Sequence, residues 1–171
     1  MNRLNYIQSK IVTIEEALRK VEAWRLKNEK IVFTNGCFDI LHKGHVTYLA
    51  KSADLGKRLI VALNTDQSVK NQGKGENRPV NPQDARLLVL AGLGFIDMVI
   101  LFDDQTPIKL IEQLMPDVLV KGADYDPNET NKESKKYIVG SDIILANNGE
   151  VKVIDLEDGF STTSIIDKMK K

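Results

Sequence analysis

A chain of 171 residues, 42% of them hydrophobic, is one ordinary domain, long enough to bury a core. Its 24 Lys plus Arg balance 24 Asp plus Glu, and this zero net charge argues against a general nucleic-acid binder. The single cysteine, Cys37, excludes an internal disulfide and a cysteine-rich zinc site; the longest apolar run, Leu87 to Ile96, contains two glycines and is too short to span a bilayer. The N-terminus carries charges throughout and has no signal-peptide core, so a cytoplasmic protein without a membrane partner is expected.

The chain reads as alternating helix and strand. Thr13-Ile14-Glu15-Glu16 has capping-box spacing, and Ala17, Leu18, Val21 and Trp24 then share one helical face. Lys30 to Thr34 is the first predicted strand. A helix is expected from Lys43 to Leu55, stopped by Gly56. Leu59 to Leu63 is a continuous apolar run, as in a buried parallel strand. The polar stretch from Asn64 to Val80 reads mainly as loop. Asn81-Pro82 opens the next helix, with Asn as cap and Pro at the first helical position. Met98 to Phe102 is the third strand. A helix from Pro107 ends before Pro116, and Val118 to Val120 is the fourth strand. Residues 124–136 read as a surface insertion, Tyr137 to Ala146 as helix and Val151 to Ile154 as the fifth strand. Ser161 caps a last helix with Ile165, Ile166 and Met169 facing inward. Strands separated by helices imply parallel pairing with right-handed crossovers. The expectation is a single-domain α/β fold: a doubly wound, Rossmann-like, five-stranded parallel sheet flanked by helices. Residues 1–29 form a helical extension packed on a domain of residues 30–171.

In such a sheet, ligands bind at the carboxyl ends of the strands, near the switch in strand order. The segment from Asn35 to His45 leaves a strand there and enters a helix N-terminus, which attracts anions. Both histidines of the chain, His42 and His45, lie in it. Their i,i+3 spacing lets both face one side of a first helical turn, where two imidazoles would stabilise charge building on a phosphate. The alternative is two ordinary histidines, and the pair alone does not decide. Zinc is the weaker reading, since there is no third histidine, and no metal site is expected. Gly36 allows the turn, Gly44 leaves room for a phosphate, and Phe38 packs under the loop. Asp39 either orders the loop or accepts a bond from a substrate hydroxyl. Cys37 is read as a small residue at a tight spot. Lys70, Lys74 and Arg78 follow the second strand, where a charge run is either a solvated loop or a phosphate grip; Gly73-Lys74 is not a P-loop, because Gly75 stands where Ser or Thr is required. Ser161, Thr162 and Thr163 open the last helix, where hydroxyls and free amides can hold phosphate oxygens; a plain N-cap explains only Ser161.

Together, GCFDILHKGH after the first strand, a lysine loop after the second and DGFSTT at the last helix closely resemble the cytidylyltransferase-like nucleotidyltransferase superfamily. More narrowly, FTNGCFDILHKGHVTYL, LNTDQSVK, KGENRPVNPQDAR, TPIKLI, PDVLVKGADY, YIVGSD and FSTTSII resemble the D-glycero-β-D-manno-heptose 1-phosphate adenylyltransferases of lipopolysaccharide precursor synthesis. The resemblance covers nearly everything from Ile31 to Ile166, and Lys10 to Trp24 is similar to the helix that leads into that domain. In many relatives the domain is fused to a sugar kinase; here it is expected to stand alone. Leu156 and Gly94 stand where relatives that use glycerol phosphate carry basic residues, which counts against that acceptor.

The resemblance implies attack by a sugar 1-phosphate oxygen on the α-phosphorus of ATP, with Mg²⁺ accompanying the nucleotide and no dedicated protein cage for it. His42, His45 and Lys74 are the expected catalytic residues, with Lys70 the rival of Lys74. Asn35, Gly36, Cys37, Phe38, Gly122, Asp124, Ser161, Thr162 and Thr163 are expected around the nucleotide. Asp39, Asn64, Lys70, Arg78 and Arg86 are expected on the sugar-phosphate side. The expected partners are ATP and a sugar 1-phosphate, with a second copy of the chain in a homodimer. Two other readings stand beside this one. One is a relative using CTP or another phosphorylated acceptor, such as glycerol 3-phosphate; the other is a non-catalytic nucleotide-binding regulator.

Overall fold

The computed structural model describes residues 2–73, 78–157 and 159–169. Its elements run α1 (Arg3–Gln8), β1 (Ile11–Val12), α2 (Ile14–Arg25), β2 (Ile31–Gly36), α3 (Lys43–Ala53), β3 (Arg58–Asn64) and α4 (Asp66–Asn71). They continue α5 (Gln83–Gly92), β4 (Met98–Phe102), α6 (Ile108–Leu114), β5 (Val118–Gly122), α7 (Ser141–Ala146), β6 (Glu150–Ile154) and α8 (Thr162–Met169).

All strand pairs are parallel, in the order β1-β4-β3-β2-β5-β6. The doubly wound α/β fold is therefore as expected, with six strands in place of five. The chain winds outward from β2 through β3 to β4, then returns to add β5 and β6 on the other side. The switch in strand order lies between β2 and β5.

The sheet is buried on both faces, and side chains alternate between them with the strand period of two. Phe33, Ile60, Ala62, Met98 and Ile100 pack with Ala17 and Val21 of α2 and with Leu110, Ile111 and Leu114 of α6. Val32, Leu59, Val61, Leu63 and Val99 pack on the other face with Leu49 of α3 and with Leu87, Leu90 and Ala91 of α5. Burial on both sides is why these strands read as continuous apolar runs.

The extra strand is β1. Ile11 and Val12 pair with Val99 and Ile100 at the edge of the sheet. Two residues between helices carry no period, so the sequence reading absorbed them into a helical extension. Residues 1–29 thus hold an edge strand as well as α1 and α2. The capping box at Thr13 is present in both directions, Glu16 N–H to Thr13 Oγ1 and Thr13 N–H to Glu16 Oε2.

Other local expectations are corrected. Asp66–Asn71, read as loop, is a helix; Thr65 caps it by accepting from Ser68 N–H at 3.0 Å, and Ser68 and Val69 are its buried residues. The helix expected over Tyr137 to Ala146 begins only at Ser141, because Gly140 before it sits at φ +88°. Asn81 is not a helix cap; Pro82 holds that position without a side-chain bond. Met169 is 80% exposed rather than inward, while Ile165 and Ile166 are half-buried. The 124–136 segment is a surface loop closed by Asp126 N–H to Lys136 C=O and braced by short side-chain turns at Asp126, Asn131 and Ser134. No described helix is long and apolar enough to cross a membrane.

Candidate active site

The carboxyl ends of β2 and β5 open into a cavity of about 580 Å³ at the switch point. Among the described residues its walls come from four places: the β2–α3 segment, the end of β3 with Gln72, the end of β5 with the segment following it, and the start of α8 with the residues before it.

The β2–α3 segment is shaped by close packing. Gly36 completes β2, and a Cβ on it would lie 3.0 Å from the Phe38 ring. The glycine is required by that ring rather than by a turn. Phe38 itself takes φ +42°, a left-handed conformation that costs on the order of 1–3 kcal/mol in a non-glycine residue. Its burial to 7% exposure, against the His45 ring at 5.3 Å, offsets this cost.

His42 is the N-cap of α3, its Nδ1 accepting from His45 N–H at 3.4 Å. The tautomer selected by that contact carries its proton on Nε2. The two imidazoles stack with centroids 3.8 Å apart and planes 23° apart. Gly44 makes this stack fit: a Cβ there would meet His42 ring atoms at 3.1 Å and Phe160 Cβ at 3.3 Å. Its missing side chain makes room for the protein's own rings, where the sequence reading had assigned the space to a phosphate.

Burial lowers the pKa of both histidines. His45 falls to about 4, through desolvation first and the neighbouring His42 second. Nδ1 of His45 is buried without a hydrogen bond of regular geometry, although the Ile40 carbonyl favours its protonated form. Both rings are neutral at pH 7 in the free protein. Because the folded value of His45 lies below the ordinary 6.5, the unfolded chain binds more protons between the two values. Stability is therefore full above about pH 6.5 and is lost as the pH falls toward 4. Urea midpoints at pH 7.5 and pH 5 measure this directly. The drop between them is expected to be smaller in His45→Gln than in the wild-type chain, and equal drops would refute it.

The start of α8 closes over the histidines. Lys43 of α3 pairs with Glu157 at 2.9 Å and lies 5.3 Å from the Phe160 ring centroid, and Phe160 stands 6.4 Å from the His42 ring. Ser161 caps α8 through Ser164 N–H at 3.0 Å, while Thr162 and Thr163 line the cavity beside it. Two helix N-termini, those of α3 and α8, therefore meet at one cavity, and their amide dipoles favour an anion there.

The structure brings most of the expected residues together. Asn35, Gly36, Cys37, Phe38, His42, His45, Asn64, Gly122, Asp124, Ser161, Thr162 and Thr163 all line this cavity. Asn64 is buried, donates to Ser68 Oγ and accepts from the Cys37 thiol at 3.7 Å. Others stand apart. Asp39 is buried, and its carboxylate accepts from Arg78 Nε at 2.5 Å and from the Val80 and Asn81 amides at 2.8 to 3.0 Å. Arg86 is equally buried and donates to the Asn81 and Cys37 carbonyls and to Asp66 at 2.6 to 3.0 Å. These groups tie residues 78–86 beneath the Cys37 loop, so in this structure Asp39 orders the loop and neither arginine reaches the cavity wall. Lys70 is exposed on α4, away from the wall. Lys74 lies outside the described residues, as does Asp158.

The sequence reading missed Tyr48, Gln72, Lys121, Leu156 and Glu157, which line the cavity together with Tyr125 and Phe160. Lys121 stands beside Gly122 at the end of β5, so the carboxyl-end rule could have found it. Tyr48 sits one helical turn beyond His45 and bonds Thr34 Oγ1 at 2.7 Å; only the packed structure shows that it faces the site.

A parallel sheet with a nucleotide-sized cavity at its switch point, and paired imidazoles at a helix start, defines a nucleotidyltransferase type of domain. A family model described as cytidylyltransferase-like matches residues 33–168, and the chain belongs to that family. It is 55% identical over 150 residues to the bifunctional protein HldE of Vibrio vulnificus strain YJ016, covering 88% of this chain and 30% of that one. It is 51% identical over 160 residues to HldE of Pectobacterium carotovorum subsp. carotovorum strain PC1, covering 94% and 32%. The chain thus spans about a third of the length of these curated relatives. Among solved structures it is similar to the lipopolysaccharide core biosynthesis protein from Thermoplasma volcanium GSS1, with TM-score 0.56 and 27% identity over 75% of this chain and 97% of that one. It also shares its fold with the pantoate-β-alanine ligase from Francisella tularensis, with TM-score 0.60 and 15% identity over 94% and 76%.

Proposed function

We propose that the chain transfers the adenylyl group of ATP to D-glycero-β-D-manno-heptose 1-phosphate, giving ADP-heptose and pyrophosphate for lipopolysaccharide core synthesis. The carrying observation is the stacked His42–His45 pair at the start of α3, walling a cavity at the sheet's switch point. The relatives named HldE and the lipopolysaccharide core biosynthesis protein support the choice of pathway.

In this reading MgATP is the nucleotide substrate. An acceptor phosphate oxygen bonds to the α-phosphorus as the bond from that phosphorus to the β-phosphate bridging oxygen breaks. The reaction needs no protein nucleophile, only alignment and charge stabilisation. His42 offers its Nε2 proton to the phosphates, and His45 supports and extends that contact. Lys74 binds phosphate oxygens, and the amides and hydroxyls of Ser161 to Thr163 hold phosphate or ribose. Asn35 to Phe38, Gly122 and Asp124 surround the nucleotide. Asn64 and Lys70 belong to the acceptor side, which Asp39, Arg78 and Arg86 shape from beneath. An incoming triphosphate favours the charged form of both imidazoles, opposing the effect of burial. The reaction takes place in the cytoplasm, and the active form is a homodimer.

The test is pyrophosphate release with ATP and CTP against the heptose phosphate, with glycerol 3-phosphate as a competing acceptor. ATP is expected to exceed CTP in kcat/KM by at least about tenfold, because a pocket hydrogen-bonded to one base edge leaves buried polar groups unpaired with the other. Comparable values would replace adenylyl by cytidylyl transfer. Turnover with glycerol 3-phosphate alone would replace the acceptor. Nucleotide binding without turnover of any pair would leave the regulator reading.

A further inference from the structure

The longest apolar run of the chain, Leu87 to Ile96, supplies more apolar surface than the core takes up. On α5, Arg86, Leu87, Leu90 and Ala91 are buried. The opposite face carries Ala85, Leu88, Val89 and Gly92, spaced i, i+3, i+4 and i+7, and it is apolar too. Leu88 is 38% and Val89 54% exposed. From Ala85 to Ile96 the one charged residue is Arg86, which is bonded inside the protein to Asp66 and the Cys37 carbonyl. A surface helix turns charged and polar residues outward, whereas one that is apolar all round is covered on both sides.

Gly92 points the same way independently. Glycine weakens a helix relative to alanine. Yet Gly92 ends α5 outside the left-handed region that favours glycine, and a Cβ added to it would meet no atom within 4 Å. Among the described residues nothing requires the missing side chain. Close approach of another backbone does.

Three features select a second copy of the chain as the cover. The face is self-complementary: its small residues, Ala85 and Gly92, stand at the ends, and the larger Leu88 and Val89 in the middle. Antiparallel helices about a two-fold axis set Ala85 against the partner's Gly92 and Leu88 against the partner's Val89. The charges fit the same crossing. Asp84 is exposed in the first turn of α5, Lys10 donates to the Leu93 carbonyl at the other end, and α1, which carries Arg3, packs on α5. Each acidic end therefore meets a basic one. The third feature is area. A face about 15 Å long falls short of the roughly 800 Å² that each partner gives a stable interface. Exposed Val80 before α5, and exposed Tyr6 beside Lys10 at its far end, extend the apolar surface. A groove of about 80 Å³ between α5 and Leu41 can seat an aliphatic side chain from the other copy, and Phe38 and Asp39 of the site loop form part of its wall.

We propose that the outward face of α5 is the interface of a homodimer, two copies pairing antiparallel about an axis near Leu88 and Val89. This gives the homodimer read above its surface, and it rests on that reading.

Sedimentation equilibrium of the wild-type chain, V89K, G92Q and L145Q measures the dimer Kd, with circular dichroism to establish that each is folded. Val89 is exposed and Gly92 borders open space, so neither change disturbs the single chain, and G92Q decides alone should V89K not fold. Leu145, exposed on α7, controls for nonspecific apolar association. The wild-type chain is expected to dimerise, and V89K and G92Q to raise Kd at least about tenfold, the scale at which a single interface residue matters. L145Q is expected to leave Kd unchanged. A wild-type Kd in either folded face variant overturns the assignment of this face while the homodimer reading stands. A dimer weakened as much by L145Q as by V89K overturns it as well. A wild-type chain that is monomeric at every concentration overturns both and leaves the face to a different protein. Pyrophosphate release decides the catalytic reading separately.

Discussion

Replacing His45 by alanine is expected to lower kcat by about 10²- to 10³-fold while the affinity for ATP changes little. His45 stands in the first turn of α3, stacked 3.8 Å from His42 at the cavity wall. Both rings are neutral in the free protein because burial lowers their pKa values. Their contribution therefore grows as negative charge builds on the reacting phosphate, and an interaction made mainly in the transition state lowers turnover selectively. Removing one such donor costs about 2–4 kcal/mol of barrier stabilisation. Alanine also opens space beside Phe38 and His42, so His45→Gln is the companion variant, keeping bulk and a donor and recovering part of the rate. Single-turnover kinetics with calorimetric ATP binding check both. Wild-type kcat in a folded His45→Ala protein would remove the histidine pair from the chemistry.

Replacing Asp39 by alanine is expected to destabilise the fold by about 3–5 kcal/mol, the scale for breaking a buried ion pair from one side. The Asp39 side chain is fully buried and that of Arg78 is 13% exposed, at 2.5 Å. The change also strips partners from the Val80 and Asn81 amides. About 10 °C of melting temperature corresponds to that loss in a chain of this size. The double variant Asp39→Ala/Arg78→Met is expected to recover part of it, because the unpaired guanidinium is then gone. Urea unfolding measures all three, and a loss under about 1 kcal/mol for Asp39→Ala would show that the loop does not depend on the carboxylate.

These two residues mark the boundary of what a linear reading reaches. Continuous apolar runs at Leu59 to Leu63 and Met98 to Phe102 disclosed buried parallel strands, since burial on both faces leaves no polar alternation. A segment leaving such a strand for a helix start located the site, because parallel strands with crossovers put their carboxyl ends on one side. That much is local periodicity and topology. Short elements escaped it: β1 is two residues long, and α4 is six residues of mainly polar sequence whose buried Ser68 and Val69 show no helical period.

By itself the sequence determined the layered α/β fold, and it pointed to the cavity beyond β2 and to most of the described residues that wall it. It also carried the likeness that the family match to residues 33–168 then established. Only the tertiary structure decided which charges face the cavity. Arg86 reaches Asp66 and the Cys37 carbonyl, and Asp39 reaches Arg78, so charges that look available along the chain are consumed in holding the loop. Lys121 reads as one polar residue at the end of an apolar strand, yet its side chain crosses to Asn35, 86 positions away in the chain. Strand and helix periods depend on near neighbours and are written locally. The partner of a charge depends on which distant segments the sheet order brings together, and that information exists only once the chain has folded.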